Sequence, residues 1–431
     1  MSGLAERNGG RAGLAILALI LLLGLGLRVN EAWEGRDPVF DAAAYATIAA
    51  NLDRGGGFTL GAGATQPASN YSPGLPLLAA GIYKLSGGVH ERTARLALAL
   101  LGTLAVAFTY LIGRRLSGPI AGLIGAAAIA IYPALIEYQG MLMSEPLAAS
   151  LLSGAALAML SASDGGQAWR WLLAGGLFGG LALVRPEYLG VALLVSLVVL
   201  AKNWQDGWRK ALVPSLLVLV GVAVIVAPWT VRNAIALDRF VPVSTGGGQV
   251  LFAGTYLPSD GDPERVGAEV VERHPQLFGP NAVEQLRLEQ ILARLAADRY
   301  PDTETDKALS KMSKEQLWDD VSEEPLEYAG FVTRKVTRIW SHGPRDVMRQ
   351  PGWELLHWAL VAFGLVGLAV LAIQRRWEAL LLATIFVAIT AISALLVASP
   401  RRVLVMMPLV AALAGVGAVA CRDSLARRWQ R

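Results

Sequence analysis

Long apolar runs recur along this chain, and a helix needs roughly 20 such residues to cross about 30 Å of hydrocarbon. Runs near that length lie at residues 12–27, 93–113, 118–134, 145–161, 170–184, 187–201, 212–229, 353–373, 378–398 and 403–421. Backbone groups in hydrocarbon must satisfy one another, so each run reads as a helix, about ten in all. The pair broken at Arg185-Pro186-Glu187 is either two spans or one broken span. Composition agrees: 54% of the 431 residues are hydrophobic and 17% charged, against about 25% charged in soluble domains. The fold class is an all-α polytopic membrane protein.

The net charge of +4 does not indicate nucleic acid, because the basic residues cluster at the ends of the apolar runs. Arg114, Arg115, Arg170, Lys202, Arg209, Lys210, Arg375 and Arg376 all fall on one side, with the tail containing Arg422, Arg427, Arg428 and Arg431. By the positive-inside rule this predicts an even number of spans and both termini in the cytoplasm. The first run, behind Arg7 and Arg11, has no clean small-x-small cleavage site and reads as a retained helix rather than a signal peptide. Two long loops then lie outside, near residues 28–92 and 230–352. The chain divides into a membrane core with that first loop (1–230), a mostly helical loop domain (231–352) and C-terminal helices with a basic tail (353–431). The single cysteine, Cys421, allows no intrachain disulfide, and His90, His274, His342 and His357 show no zinc-site spacing.

In the first outer loop, FDAAAYATIAANLDR after Asp37-Pro38 reads as a helix stopped by Gly55-Gly56-Gly57. Its stripe of Tyr45, Ile48 and Leu52 suggests a helix lying flat on the membrane. In the second, Asn281 followed by Glu284 resembles a capping arrangement, with Leu288, Ile291, Leu292 and Leu295 as an apolar face. There is no long repeat, and Gly246-Gly247-Gly248 lacks the context of a nucleotide loop.

Charged groups beside membrane helices are expensive and usually functional. On the outer side these are Asp41, Glu137, Glu145, Arg185, Glu187, Arg232, Arg401 and Arg402. Brought together, they suit an anionic lipid phosphate, which arginine matches bidentately, and a hydroxyl needing a carboxylate base. Each has a plainer reading. Asp41 is equally a helix cap, Tyr45 an interfacial anchor, and Glu145 a carboxylate at a helix start. Glu137 reads as a solvated acid, and Arg185 as an internal partner of Glu187 or a snorkelling arginine. Arg232, after Pro228-Trp229, reads as a membrane-edge anchor, and Arg401-Arg402 as a surface pair. Tyr71, in the rigid Tyr71-Ser72-Pro73-Gly74-Leu75-Pro76, reads as part of a turn, and Lys84 as a phosphate reacher or an interfacial lysine.

Four stretches together resemble family 39-type members of the glycosyltransferase C superfamily, relatives of protein O-mannosyltransferases and of the aminoarabinose transferase acting on lipid A. They are FDAAAYATIAANL with NYSPGLPLLAAGIYKLSG, IYPALIEYQGMLMSEPLAA, APWTVRNAIALDRFVPVSTGGG and SPRRVLVMMP. The resemblance implies a bacterial cytoplasmic-membrane enzyme that moves a sugar from a polyprenyl-phosphate donor to an acceptor hydroxyl outside, with inversion. The acceptor class, whether glycan, lipid or protein, stays open. Asp41 matches the family's first-loop acid, Tyr45 the tyrosine one turn later, and Glu145 the acid of the next outer loop. Arg232 and Arg401 or Arg402 match basic positions suited to the donor phosphate. Many relatives pair Asp with Glu in the first loop, whereas Asp41 precedes Ala42, so a divalent ion (Mg or Mn) at Asp41 is neither demanded nor excluded. The large C-terminal soluble domain of bigger relatives has no counterpart here. A flippase of lipid-linked sugars is the alternative, although the inverted repeats that such a transporter would show are not evident.

Overall fold

The computed structural model describes every residue except 1, 39, 40, 62–65, 166, 261, 280, 342, 430 and 431. Phe40, His342 and Arg431 thus lie outside the described residues, as do the side chains of Arg7 and Arg428.

Among the described residues the regular structure is helical. The first part comprises α1 (Ser2–Glu34), α2 (Asp41–Asp53), α3 (Gly74–Leu85), α4 (Glu91–Ser117), α5 (Pro119–Ala130), α6 (Pro133–Glu137), α7 (Ser144–Ala162), α8 (Ala168–Val184), α9 (Tyr188–Asn203) and α10 (Trp208–Leu237). The long loop that follows folds as α11 (Gly247–Thr255), α12 (Pro263–Arg273), α13 (Ala282–Gln285), α14 (Leu288–Arg299), α15 (Thr305–Glu323) and α16 (Pro325–Ser341). The chain returns to the membrane core through α17 (Pro351–Ile373), α18 (Trp377–Leu395) and α19 (Pro400–Trp429).

All ten apolar runs are helical, but fewer cross on length alone. Among the described residues eight helices are long and apolar enough to span, or nine if α5 and α6, bent by 57° where Pro133 restarts the helix, count as one. Helix α8, at 17 residues, rises about 26 Å and falls short of the hydrocarbon thickness. The break at Arg185-Pro186-Glu187 separates two distinct helices. Helices α19 and α7 form the centre, with 89% and 83% of their apolar windows buried, whereas α1 buries 11% and lies at the periphery. Small residues let the central backbones approach closely: a Cβ on Gly125 of α5 would stand 2.7 Å from the Ala411 carbonyl oxygen of α19. Arg28 of α1 is fully buried and donates to the carbonyls of Ile129 (2.9 Å) and Ala130 (3.1 Å), where α5 ends. It thereby satisfies carbonyls that the helix end leaves free.

The helix ends sort by charge. Arg115 pairs with Asp164, Arg376 donates to the Leu116 carbonyl, and Lys202 stacks on Trp377, so the short basic connections gather at one end. The starts of α2, α7 and α19 meet at the other.

Two local expectations change. Tyr45 and Ile48 of α2 are buried and Leu52 is half-buried, packed on Phe58, Tyr71 and Trp229, so the stripe faces protein rather than lipid. Asn281 precedes only the four-residue α13. The apolar face belongs to α14, whose start is closed by Arg287 N–H donating to Gln290 Oε1 at 2.9 Å. Ile291, Leu292 and Leu295 of α14 join Phe252, Val266, Val270, Leu309 and Met312 in a second core, separate from the membrane bundle.

Candidate active site

Proline and extended residues set the site's helix starts. Met143 is extended, and Ser144-Glu145-Pro146 opens α7. Arg185 is extended at the end of α8, and Pro186 keeps that helix from continuing. Pro400 starts α19, which puts Arg401 and Arg402 in its first turn. Two cations at a helix N-terminus oppose the helix dipole, so their placement calls for anions nearby.

Three carboxylates supply part of that charge. Arg401 donates through Nε to Glu145 Oε1 at 2.6 Å and through a terminal nitrogen to Asp41 Oδ2 at 3.1 Å. Glu145 is fully buried and also faces Arg185 at 3.6 Å. Arg185 donates to Glu187 Oε1 at 3.1 Å and to Ser144 Oγ at 3.4 Å. Burial alone would raise the Glu187 carboxyl, but the guanidinium groups of Arg185 and Arg402 outweigh it and hold it below the usual carboxylate range. Burial, reinforced by Asp41, pushes the Tyr45 phenol up, so it stays a neutral donor. Arg402 is the exception: its NH1 is buried yet has no hydrogen-bond partner among the described residues. An unmet donor on a charged group is costly, and the Arg402 side chain lines open space.

That space consists of three cavities that share Asp41. The first, about 290 Å³, is lined by Asp41, Ser144, Arg185, Glu187, Arg401 and Arg402. The second, about 490 Å³, runs from Asp41, Tyr45 and Arg402 to Asn70, Thr245 and Gln249. The third, about 830 Å³, lies between α2 and the start of α14, with Thr47, Tyr71, Gln249, Arg287 and Glu289 on its wall. Tyr71 meets Tyr45 edge-on at 5.9 Å.

Not every candidate reaches these cavities. Glu137 pairs with Arg345 at 2.7 Å and faces Arg36 at 3.8 Å, in a separate network behind Tyr138. Arg232 lies over Trp229 and Phe58, at 4.7 and 5.5 Å, so its charge is spent on aromatic faces. Lys84 is exposed at the end of α3 and lines none of the three. Sequence reasoning in turn missed Gln249, Arg287 and Glu289, which carry no local signal. It also passed over the wall formed by Gly246 and Gly247, although Gly246 takes φ +91°, a conformation suited to glycine.

The carboxylates around Asp41 are each engaged by arginine. Asp41 and Glu145 share Arg401, Glu187 faces Arg185, and among the described residues no group of three or more His, Cys, Asp or Glu could hold a metal ion.

Residues 69–231 match the family described as dolichyl-phosphate-mannose-protein mannosyltransferase. No curated protein matches the chain at a significant level. Among solved structures, the archaeal oligosaccharyltransferase AglB of Archaeoglobus fulgidus, in complex with an inhibitory peptide and a dolichol-phosphate, superposes with a TM-score of 0.57 at 17% identity, covering 97% of this chain and 51% of that one. The apo form of the Archaeoglobus fulgidus oligosaccharyltransferase gives 0.57 at 16% identity, covering 97% and 52%. ArnT of Cupriavidus metallidurans, bound to undecaprenyl phosphate, gives 0.44 at 14%, covering 93% and 77%. The chain spans about half the length of the archaeal structures. The likeness to the archaeal structures is one of fold.

Proposed function

We propose that the protein transfers a sugar from a polyprenyl-phosphate donor to an acceptor hydroxyl at the extracytoplasmic face of a bacterial cytoplasmic membrane, inverting the anomeric centre. The observation that carries this reading is Arg402 in the first turn of α19, which lines two of the cavities that Asp41 also lines and whose buried NH1 has no hydrogen-bond partner among the described residues. A phosphate there would meet arginine geometry and a favourable helix end. The dolichol-phosphate bound by archaeal AglB is a lipid phosphate of the proposed class. The basic connections at the opposite end of the bundle support a cytoplasmic position for that end and for both termini.

In this scheme the donor phosphate lies against Arg402 and Arg401, and the acceptor enters through the large cavity beside Thr47 and Gln249. Asp41 takes the proton of the acceptor hydroxyl as its oxygen bonds to sugar C1. The bond from C1 to the phosphate oxygen breaks, and polyprenyl phosphate departs with the electron pair. The arginines stabilise the charge that develops on the leaving phosphate in a site poor in water. Glu145 and Glu187 hold the arginines in place.

The test is reconstitution of wild type and Asp41→Asn in liposomes with a pool of polyprenyl-phosphate sugars and membrane extract, reading free polyprenyl phosphate by mass spectrometry. Release by the wild type and its loss in the variant is the expected result. Intact donors that cross between leaflets equally with both proteins would replace this reading with a flippase.

A further inference from the structure

Lys335 lies in α16 of the outer loop domain, yet its side chain is fully buried. Its Nζ donates to two backbone carbonyls, Gly254 at 2.5 Å and Leu396 at 2.8 Å, and stands 5.0 Å from the Phe331 ring centre. Among the described residues no carboxylate lies within ion-pair distance of it. Burial lowers the amine, and Arg402 and Arg338 lower it further, to about 7. A lysine is expensive to bury and is seldom found fully buried unless paired. Its two partners therefore matter.

Gly254 is in the last turn of α11, and Leu396 is the residue just after α18. From Leu396 the chain runs through Val397 and Ser399, both on the cavity wall, to Arg401 and Arg402. Upstream in α11, Gly247, Gln249 and Val250 form the facing wall. The two walls touch where Gly254 meets Leu396: a Cβ at Gly254 would overlap the Leu396 carbonyl group. Lys335 bonds both carbonyls at that junction, from the loop-domain side.

We propose that Lys335 is a positioning residue that sets the aim of Arg401 and Arg402 by holding the Leu396 segment against α11. Lipid-phosphate binding in the membrane core then depends on the outer loop domain being docked. This rests on the reading above that the cavity binds polyprenyl phosphate. A local misplacement of binding groups by about 1 Å is enough to cost a large factor in affinity or rate.

The experiment uses full-length protein in nanodiscs and two readouts: binding of polyprenyl phosphate, and hydrogen–deuterium exchange of residues 396–403 without lipid. Lys335→Met is expected to weaken binding by about tenfold and speed exchange in that segment, while turnover at saturating donor stays within about threefold. Leu309→Ala, in the second core, should lower the melting temperature without weakening binding. A folded Lys335→Met with wild-type binding and exchange overturns the proposal, as does equal weakening by Leu309→Ala. If Lys335→Met does not fold, Gly254→Ala, which forces the two carbonyls apart, must give the same weakened binding, and wild-type binding by that variant overturns the proposal. If the wild type binds no polyprenyl phosphate but exchange still quickens in Lys335→Met, the donor reading fails and the positioning role stands.

Discussion

Arg401 and Glu145, 256 positions apart in sequence, meet at 2.6 Å, with Glu145 fully buried. The contact joins the start of α19 to the start of α7, and Arg401 continues from it to Asp41. One guanidinium therefore sets the spacing between two acids on different helices.

Removing the buried acid is expected to harm both fold and site. Glu145→Gln leaves Arg401 and Arg185 facing a neutral group, at a cost of about 3–5 kcal/mol. Chemical denaturation in detergent should register a drop of that order, together with loss of donor turnover. A variant as stable and active as wild type would show that the pairing is dispensable.

Asp41 is half-exposed, and its one ion pair among the described residues is with Arg401. Asp41→Asn should therefore leave the melting temperature nearly unchanged while transfer falls by about 10²- to 10⁴-fold, the range of a lost general base. Binding of polyprenyl phosphate should persist. Parallel loss of binding and turnover would make Asp41 a binding group instead.

For Arg402, substitution by Met should raise the donor KM about 10- to 100-fold, the worth of hydrogen bonds to a charged partner. Arg402→Lys should recover only part of this, because an ammonium lacks the planar fork. Initial-rate kinetics against donor concentration separate these outcomes.

Arg232 and Lys84 provide the contrast. Neither reaches the cavities, so Arg232→Ala and Lys84→Ala should shift donor KM by no more than about threefold. Arg232→Ala should also cost about 1 kcal/mol of stability through lost contact with Trp229 and Phe58. A large KM effect at either position would relocate the donor site.

Lys335 gives a pH dependence of stability. Its amine falls to about 7 in the folded chain from an ordinary 10.5, so between those values the unfolded chain holds the extra proton. Stability should rise with pH across that window and be lost as pH falls through about 7. Melting followed from about pH 6.5 to about pH 9.5 should show this rise, and Lys335→Met should flatten it.

The apolar runs carry the fold because hydrocarbon forces each long run into a helix, and the kink and breaks at Pro133 and Pro186 follow from ring geometry. Asp41, Glu145, Arg185, Glu187, Arg401 and Arg402 stand out as charges at membrane-helix ends, and the structure gathers them around one set of cavities. The Arg185–Glu187 pair, two positions apart, was legible, but the partners of Arg401 were not, because Asp41 lies 360 positions from it. Nor could a stripe such as Tyr45 and Ile48 say whether lipid or protein would cover it. The loop-domain wall was hidden for a different reason: Gln249, Arg287 and Glu289 are ordinary surface residues until α11 and α14 bring them beside α2.

Helix α1 is fastened unevenly. Most of its apolar window faces away from the bundle, while Arg28, near its C-terminal end, is tied to the carbonyls of α5. The arginine thus acts as a pivot. When the bilayer thickens or thins, α1 can accommodate the mismatch by tilting about that point. The helices that carry the charged site, packed against one another at the centre, keep their spacing as the membrane around them changes.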